Sequence, residues 1–134
     1  MHQIRVDIAA EADVSIAISQ IRRFLTQQSI RSEDVYRLTT VVAELARNIV
    51  KYARLGAVQV SLTERLGRLE GCVIAEDEGP GIDNVEAALA DGFTTGGTLG
   101  MGLPGCRRMM DTFSIDSVVG RGTIIKATRR LGRA

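Results

Sequence analysis

The chain has 134 residues, 17 Lys and Arg against 16 Asp and Glu, and a hydrophobic share of 45%. That length suits one domain with a real core, the hydrophobic share excludes a disordered chain, and a formal net charge of +1 gives no bulk attraction to nucleic acid. No apolar run approaches the roughly 18 residues of a membrane span, and the opening MHQIRVDIAAEAD lacks the apolar centre of a secretory leader, so the expected location is cytoplasmic.

Residues 3–7 alternate weakly around Ile4, Val6 and Ile8 and predict a short strand. Val14, Ile18, Ile21 and Leu25 recur at helical spacing and predict an amphipathic helix. Ser32 is placed to cap a second helix, with Glu33 and Asp34 favourable in its first turn. The apolar stripe of that helix is Val35, Leu38, Val42, Leu45, Ile49 and then Tyr52 or Ala53, the strongest periodic signal in the chain. The period then changes to two. Val58, Val60 and Leu62 predict a strand, Gly67 a turn, and Leu69, Gly71, Val73 and Ala75 a second strand that runs into Glu76-Asp77-Glu78. Asp83 followed by Glu86 resembles a capping box before a short helix over 85–90. Residues 91–99 form a Gly/Thr loop without period, and 102–112 a helix with Pro104 in its first turn. Residues 113–118 and 123–127 close the chain as a hairpin across Gly120-Arg121-Gly122. The whole reads as a single α+β domain over residues 1–134, with helices on one face of a mixed, mostly antiparallel sheet.

The composition narrows the chemistry. His2 is the one histidine, which excludes a His-rich metal site and, unless the N-terminus folds back into a cleft, a Ser-His-Asp triad. Cys72 and Cys106 are far apart in unlike contexts and read as reduced thiols. Eight of the 14 glycines lie between Gly79 and Gly105. Glycine that dense costs backbone entropy, so something there requires it.

Three constellations carry possible chemistry. Glu44 and Asn48, four residues apart, share a helix face. They form either a solvated polar face or a carboxylate and an amide oxygen offered to a hard cation, since Mg²⁺ takes only one or two protein oxygens. Arg47 and Lys51 nearby face either phosphate or water. Asp77-Glu78-Gly79-Pro80-Gly81 ends a strand, as a surface turn or as a site. Asp77 closes an apolar alternation, so its carboxylate points into whatever the helices leave open and needs a donor there. The amino group of a base is one such donor, and Gly79 and Gly81 would let a flat ring approach. The third is Gly96-Gly97-Thr98-Leu99-Gly100-Met101-Gly102-Leu103-Pro104-Gly105. Gly97 to Gly102 has P-loop spacing, but Leu103 stands where that motif needs lysine. Gly100, Gly102 and Gly105 match the dinucleotide fingerprint in letters but follow a loop rather than a strand, which excludes a Rossmann site. What remains is backbone N–H groups leading into a helix N-terminus, an arrangement suited to anions, with hydroxyls of Thr94, Thr95 and Thr98 beside it. Arg107 and Arg108 follow, on a face that is either solvated or turned to phosphate.

Taken together, Glu44-Leu-Ala-Arg-Asn48, Asp77-x-Gly79-x-Gly81, Gly100-x-Gly102 and Gly122-Thr123 resemble the GHKL ATPase/kinase superfamily, whose nucleotide-binding fold is a two-layer α/β sandwich. The runs VVAELARNIVKYA, IAEDEGPGI and DGFTTGGTLGMGLPGCRRMMDTFSIDSVVGRGT are similar to the RsbT family of serine/threonine switch kinases, over nearly the whole chain. That resemblance implies ATP and Mg²⁺ as cofactors. It implies Glu44 as general base, Asn48 as Mg²⁺ ligand, Asp77 on the adenine amino group with water shared by Thr123, and Gly79 and Gly81 beside the base. It makes Thr95, Gly96, Gly97, Thr98, Leu99, Gly100, Met101 and Gly102 the lid and phosphate cradle. The implied partners are a STAS-domain antagonist of the RsbS or RsbR type, which is phosphorylated, and a PP2C-type phosphatase of the RsbU type, which the free kinase activates in bacterial stress signalling. The tail Arg129-Arg130-Leu131-Gly132-Arg133 lacks the family's aromatic. An anti-sigma factor or a non-catalytic ATP-binding switch is the alternative reading.

Overall fold

The computed structural model describes residues 2–82, 84–89 and 102–134. Asp83 and the loop over 91–99 lie outside them, as do the candidates Thr95, Gly96, Gly97, Thr98, Leu99, Gly100 and Met101. Strand β1 (His2–Ile8) leads to helices α1 (Glu11–Gln27) and α2 (Ser32–Asn48), the latter continued by a π-helical turn, Ile49–Ala53. Strands β2 (Gly56–Arg65) and β3 (Arg68–Asp77), short helices α3 (Val85–Leu89) and α4 (Gly102–Met109), and strands β4 (Thr112–Val118) and β5 (Gly122–Leu131) follow.

The five strands form one sheet in the order β1-β2-β3-β5-β4, and every pairing is antiparallel. The expectation of a mixed sheet is thus narrowed. Local chemistry explains the tightest turn. Leu66 and Gly67 both have positive φ, 52° and 76°, between the paired Arg65 and Arg68. That is the two-residue geometry whose twist matches a hairpin.

Alternation along the strands puts Val6, Ile8, Val58, Val60, Val73, Ala75, Ile125 and Ala127 on one face. The stripes of α1 (Val14, Ala17, Ile21, Leu25) and α2 (Leu38, Val41, Val42, Leu45) complete the core with Leu103, Cys106 and Met110. Burying such side chains supplies the main driving force. It requires the helices to share one side of the sheet, which gives the expected two layers.

Two local expectations change. Ser32 is the first residue of α2 rather than its cap; Arg31 holds that position and no side chain caps it. The Asp34 and Val35 N–H groups instead donate to the Arg31 carbonyl, at 2.9 and 3.0 Å. The end of the long helix is not α-helical either. Arg54 N–H donates to the Ile49 carbonyl (2.7 Å), an i to i+5 bond. This slip turns Ala53 toward the core and leaves Tyr52 exposed at 46%.

Candidate functional site

Glu44 stands near the C-terminal end of α2 and is only 7% exposed. Its position off the apolar stripe left a solvated face open as one reading; the burial of Glu44 excludes it, and α4 packs against the same helix. The Glu44 Oε1 lies 3.4 Å from Nη1 of Arg47, a cation one turn on. Asn48, the last residue of the α-helical part, is half-buried. Lys51 sits over the Tyr52 ring, 5.5 Å from its centroid, so the π turn draws that charge along its own surface.

The π turn carries the helix down onto the sheet end. A side chain at Gly56 would meet Ile49 Cγ2 at 2.9 Å, and one at Gly79 would meet the Ala53 Cβ at 2.6 Å. Here β2, β3, β5 and β4 line up Gly56, Asp77, Thr123 and Ser117 as successive cross-strand partners. Asp77 is half-buried, and its Oδ1 accepts the Gly79 N–H at 2.8 Å. Thr123 is buried at 7% exposure, with its Oγ1 2.8 Å from the Ser117 hydroxyl.

The glycines of this loop have reasons of their own. Gly79 is pressed against Ala53. Gly81, at φ +80°, leaves no room for a Cβ beside the Val118 carbonyl, 2.6 Å away. The Gly120 N–H donates to the Pro80 carbonyl (2.8 Å), and the Ile82 N–H to the Ser117 hydroxyl (2.7 Å). The chain after Asp77 is therefore tied to the β4–β5 turn. The packing of the protein on itself, rather than the approach of a ring alone, demands these glycines.

Helix α4 forms the remaining described wall. Gly102 opens it, buried and at φ +65°. Cys106 is fully buried, and burial pushes its thiol up to about 12, the Glu44 carboxylate adding to the effect. Arg107 and Arg108 are exposed. The structure thus brings Glu44 and Asn48 together on α2, and Asp77, Gly79, Gly81 and Thr123 together at the sheet end. It joins the two groups through the π turn.

The sequence profile of the histidine kinase-like ATPase domain matches residues 8–129. The chain belongs to that family. Within this histidine kinase-like ATPase family it is 41% identical over 126 residues to the serine/threonine-protein kinase RsbT of Bacillus subtilis, covering 94% of this chain and 95% of that one. It is 30% identical over 124 residues to an anti-sigma F factor of Caldanaerobacter subterraneus subsp. tengcongensis, covering 89% of this chain and 86% of that one. The solved RsbU and RsbW domains of a Mycobacterium tuberculosis protein share the fold, with a TM-score of 0.68 and 19% identity, over 99% of this chain and 33% of that one. So does the catalytic domain of the histidine kinase ThkA, with a TM-score of 0.54 and 16% identity, over 97% and 96% of the two chains. The protein is a serine/threonine kinase of the partner-switching kind.

The donor set fits the nucleotide and metal of such an ATPase. Asn48 carries an amide four residues after the Glu44 carboxylate on α2, and a cation that fills its other positions with phosphates and water needs only one or two protein oxygens. Among the described residues no group of three or more His, Cys, Asp or Glu gathers to hold a metal by itself. No helix among them is long and apolar enough to cross a membrane. Sequence reasoning missed two contributors. Ser117 ties Thr123 to the loop after Asp77, and Cys106 lies within the field of Glu44. Ser117 was detectable as a hydroxyl in an inward-facing position of an alternating strand. Nothing in the sequence placed Cys106 near Glu44.

Proposed function

We propose that this chain transfers the γ-phosphoryl group of ATP to a serine or threonine hydroxyl of a STAS-domain antagonist, and that the free kinase activates a PP2C-type phosphatase. The observation that carries the reading is the buried Glu44 one helical turn from Asn48, on a helix whose π turn packs against the Asp77 end of the sheet. Glu44 takes the proton of the acceptor hydroxyl as that oxygen bonds to the γ-phosphorus and the bond to the ADP oxygen breaks. Asp77 accepts a hydrogen bond from the adenine amino group, and Thr123 shares a water there. Gly79 and Gly81 shape the edge beside the base. Asn48 holds Mg²⁺, which when bound neutralises charge on the phosphate oxygens. Residues 95–102 cradle the phosphates, and residues 1–134 act as one unit in the cytoplasm. The sequence match to RsbT supports the acceptor and phosphatase partners by relationship.

The test is intact-mass measurement of a STAS-domain partner after incubation with this protein and MgATP. One phosphate is expected on the partner. Glu44→Gln is expected to lower the rate by about 10²–10⁴ while MgATP still binds. A partner that never gains phosphate, or an unimpaired Glu44→Gln variant, overturns the reading. The anti-sigma F relatives support a second reading, in which a sigma factor is the held partner. Capture of a sigma factor in place of a PP2C phosphatase would establish it.

A further inference from the structure

At the end of α2 remote from Glu44, a buried carboxylate gathers charge from three elements. Asp34 is 1% exposed. Its Oδ1 accepts a hydrogen bond from Arg37 Nη1 (3.1 Å), its Oδ2 accepts the Gly132 N–H (2.8 Å), and Arg31 Nη2 stands 3.9 Å away. From β5, Arg129 brings its Nε to 3.6 Å from Asp34 Oδ1. That Nε is buried and makes no hydrogen bond, so charge rather than hydrogen bonding holds it there. The same guanidinium turns its Nη1 to the carbonyl of Met109, the last residue of α4, at 3.0 Å. Asp111, just beyond, lies 3.8 Å from that nitrogen. One side chain thus grips the start of α2 and the end of α4. A planar fork with several donors can do this, and a cation is favoured against the last carbonyls of a helix.

The two helices lead back to the site. At about 1.5 Å per residue, Asp34 lies about 15 Å from Glu44 along α2, and Met109 about 10 Å from Gly102 along α4. Helix α4 packs against α2, and the Glu44 charge reaches Cys106, which lies between Gly102 and Met109. Both helices are therefore joined at one end and form the site at the other.

We propose that Arg129, held by Asp34, is a positioning residue for the phosphate end of the nucleotide. It fixes the angle of α4 on α2, and with it the place of Gly102 relative to Glu44 and Asn48. Without the clamp, α4 keeps its apolar contacts through Leu103, Cys106 and Met110 but is free to swing about them. Asp77 and Thr123 stand on strands the swing does not reach. This inference rests on the reading of Gly102, the first residue of α4, as part of the phosphate cradle.

Calorimetric titration of the full chain with MgATP and, separately, with adenosine tests it, for the wild type, Arg129→Gln and Arg129→Lys. Arg129→Gln is expected to weaken MgATP about tenfold or more, as misplacement of a binding group does, and to leave adenosine affinity unchanged. In kinase assays its KM for ATP rises more than its kcat falls. Arg129→Lys keeps the charge but spans only one of the two partners, so it falls between. Should Arg129→Gln not fold, Arg129→Lys is read by the same ratio of MgATP to adenosine affinity. A ratio equal to that of the wild type, whether both ligands are weakened or neither, overturns the positioning role. A wild type that binds adenosine as tightly as MgATP overturns the phosphate-cradle reading first, and the positioning role with it.

Discussion

Gly122 shows how closely the residues around Asp77 are packed. Its φ is +142°, and a Cβ there would stand 2.1 Å from the Asp77 carbonyl oxygen. Gly120, two residues earlier at φ +84°, has open space around it. Gly122→Ala should therefore overpack the end of β3, costing about 1–3 kcal/mol, and weaken adenosine binding by displacing Asp77. Gly120→Ala should cost only the left-handed backbone, about 1–2 kcal/mol, with adenosine affinity intact. Thermal melts and titrations of the two variants check the contrast, and equal adenosine affinities would refute it. Asp77 was legible because it ends an alternating run, and Thr123 through its resemblance to a known motif. That the two are direct cross-strand partners was not. The register of strands distant in sequence depends on packing partners that no local pattern encodes.

At the scale of elements, periodicity located the strands and helices well but not their hydrogen bonding. A π turn keeps apolar residues nearly in step with an α-helix, so Ile49 and the alternatives Tyr52 and Ala53 read as one continuing stripe. The choice of Ala53 follows from its contact with Gly79, which belongs to another element. Strand β5 runs to Leu131, beyond the expected 127, because Thr128, Arg129 and Arg130 break the apolar alternation while the ladder to β3 continues. Ala53→Leu tests the junction of the π turn with the loop after Asp77. The added side chain has no space beside Gly79, so nucleotide affinity should fall while the helix content seen by circular dichroism stays. Unchanged affinity would mean that the loop yields without moving Asp77. The expected cost is about 1–3 kcal/mol, as for other small-to-large changes in packed positions.

For the whole molecule, α4 is a layer of the core as well as a wall of the site. Cys106 is buried there with its thiol pushed from 9.0 up to about 12. The fold holds the neutral thiol, so this contribution is complete below pH 9 and is lost as pH rises toward about 12. Urea unfolding across that range should show a steeper alkaline loss of stability for the wild type than for Cys106→Ser, which has no thiol to titrate. Parallel curves would count against it. The two-layer architecture was readable from the sequence because burial of one face per strand and one stripe per helix leaves few arrangements. The cluster at Asp34 was not, since Asp34 looked like an ordinary first-turn acid until β5 and the tail came to it.

That tail has a wider consequence. Arg31 N–H donates to the Gly132 carbonyl and Ala134 N–H to the Ser29 carbonyl, both at 2.8 Å, and Ile30 and Arg133 form an isolated bridge. The last strand is thereby tied to the link between the first two helices. These bonds join the start of α2 to the end of the strand that pairs with the sheet centre. β1 stands outside that junction, paired with β2 alone at one edge of the sheet. Loss of the tail's bonds should therefore loosen the start of α2 and the end of β5 together, since Asp34 and Gly132 share that junction.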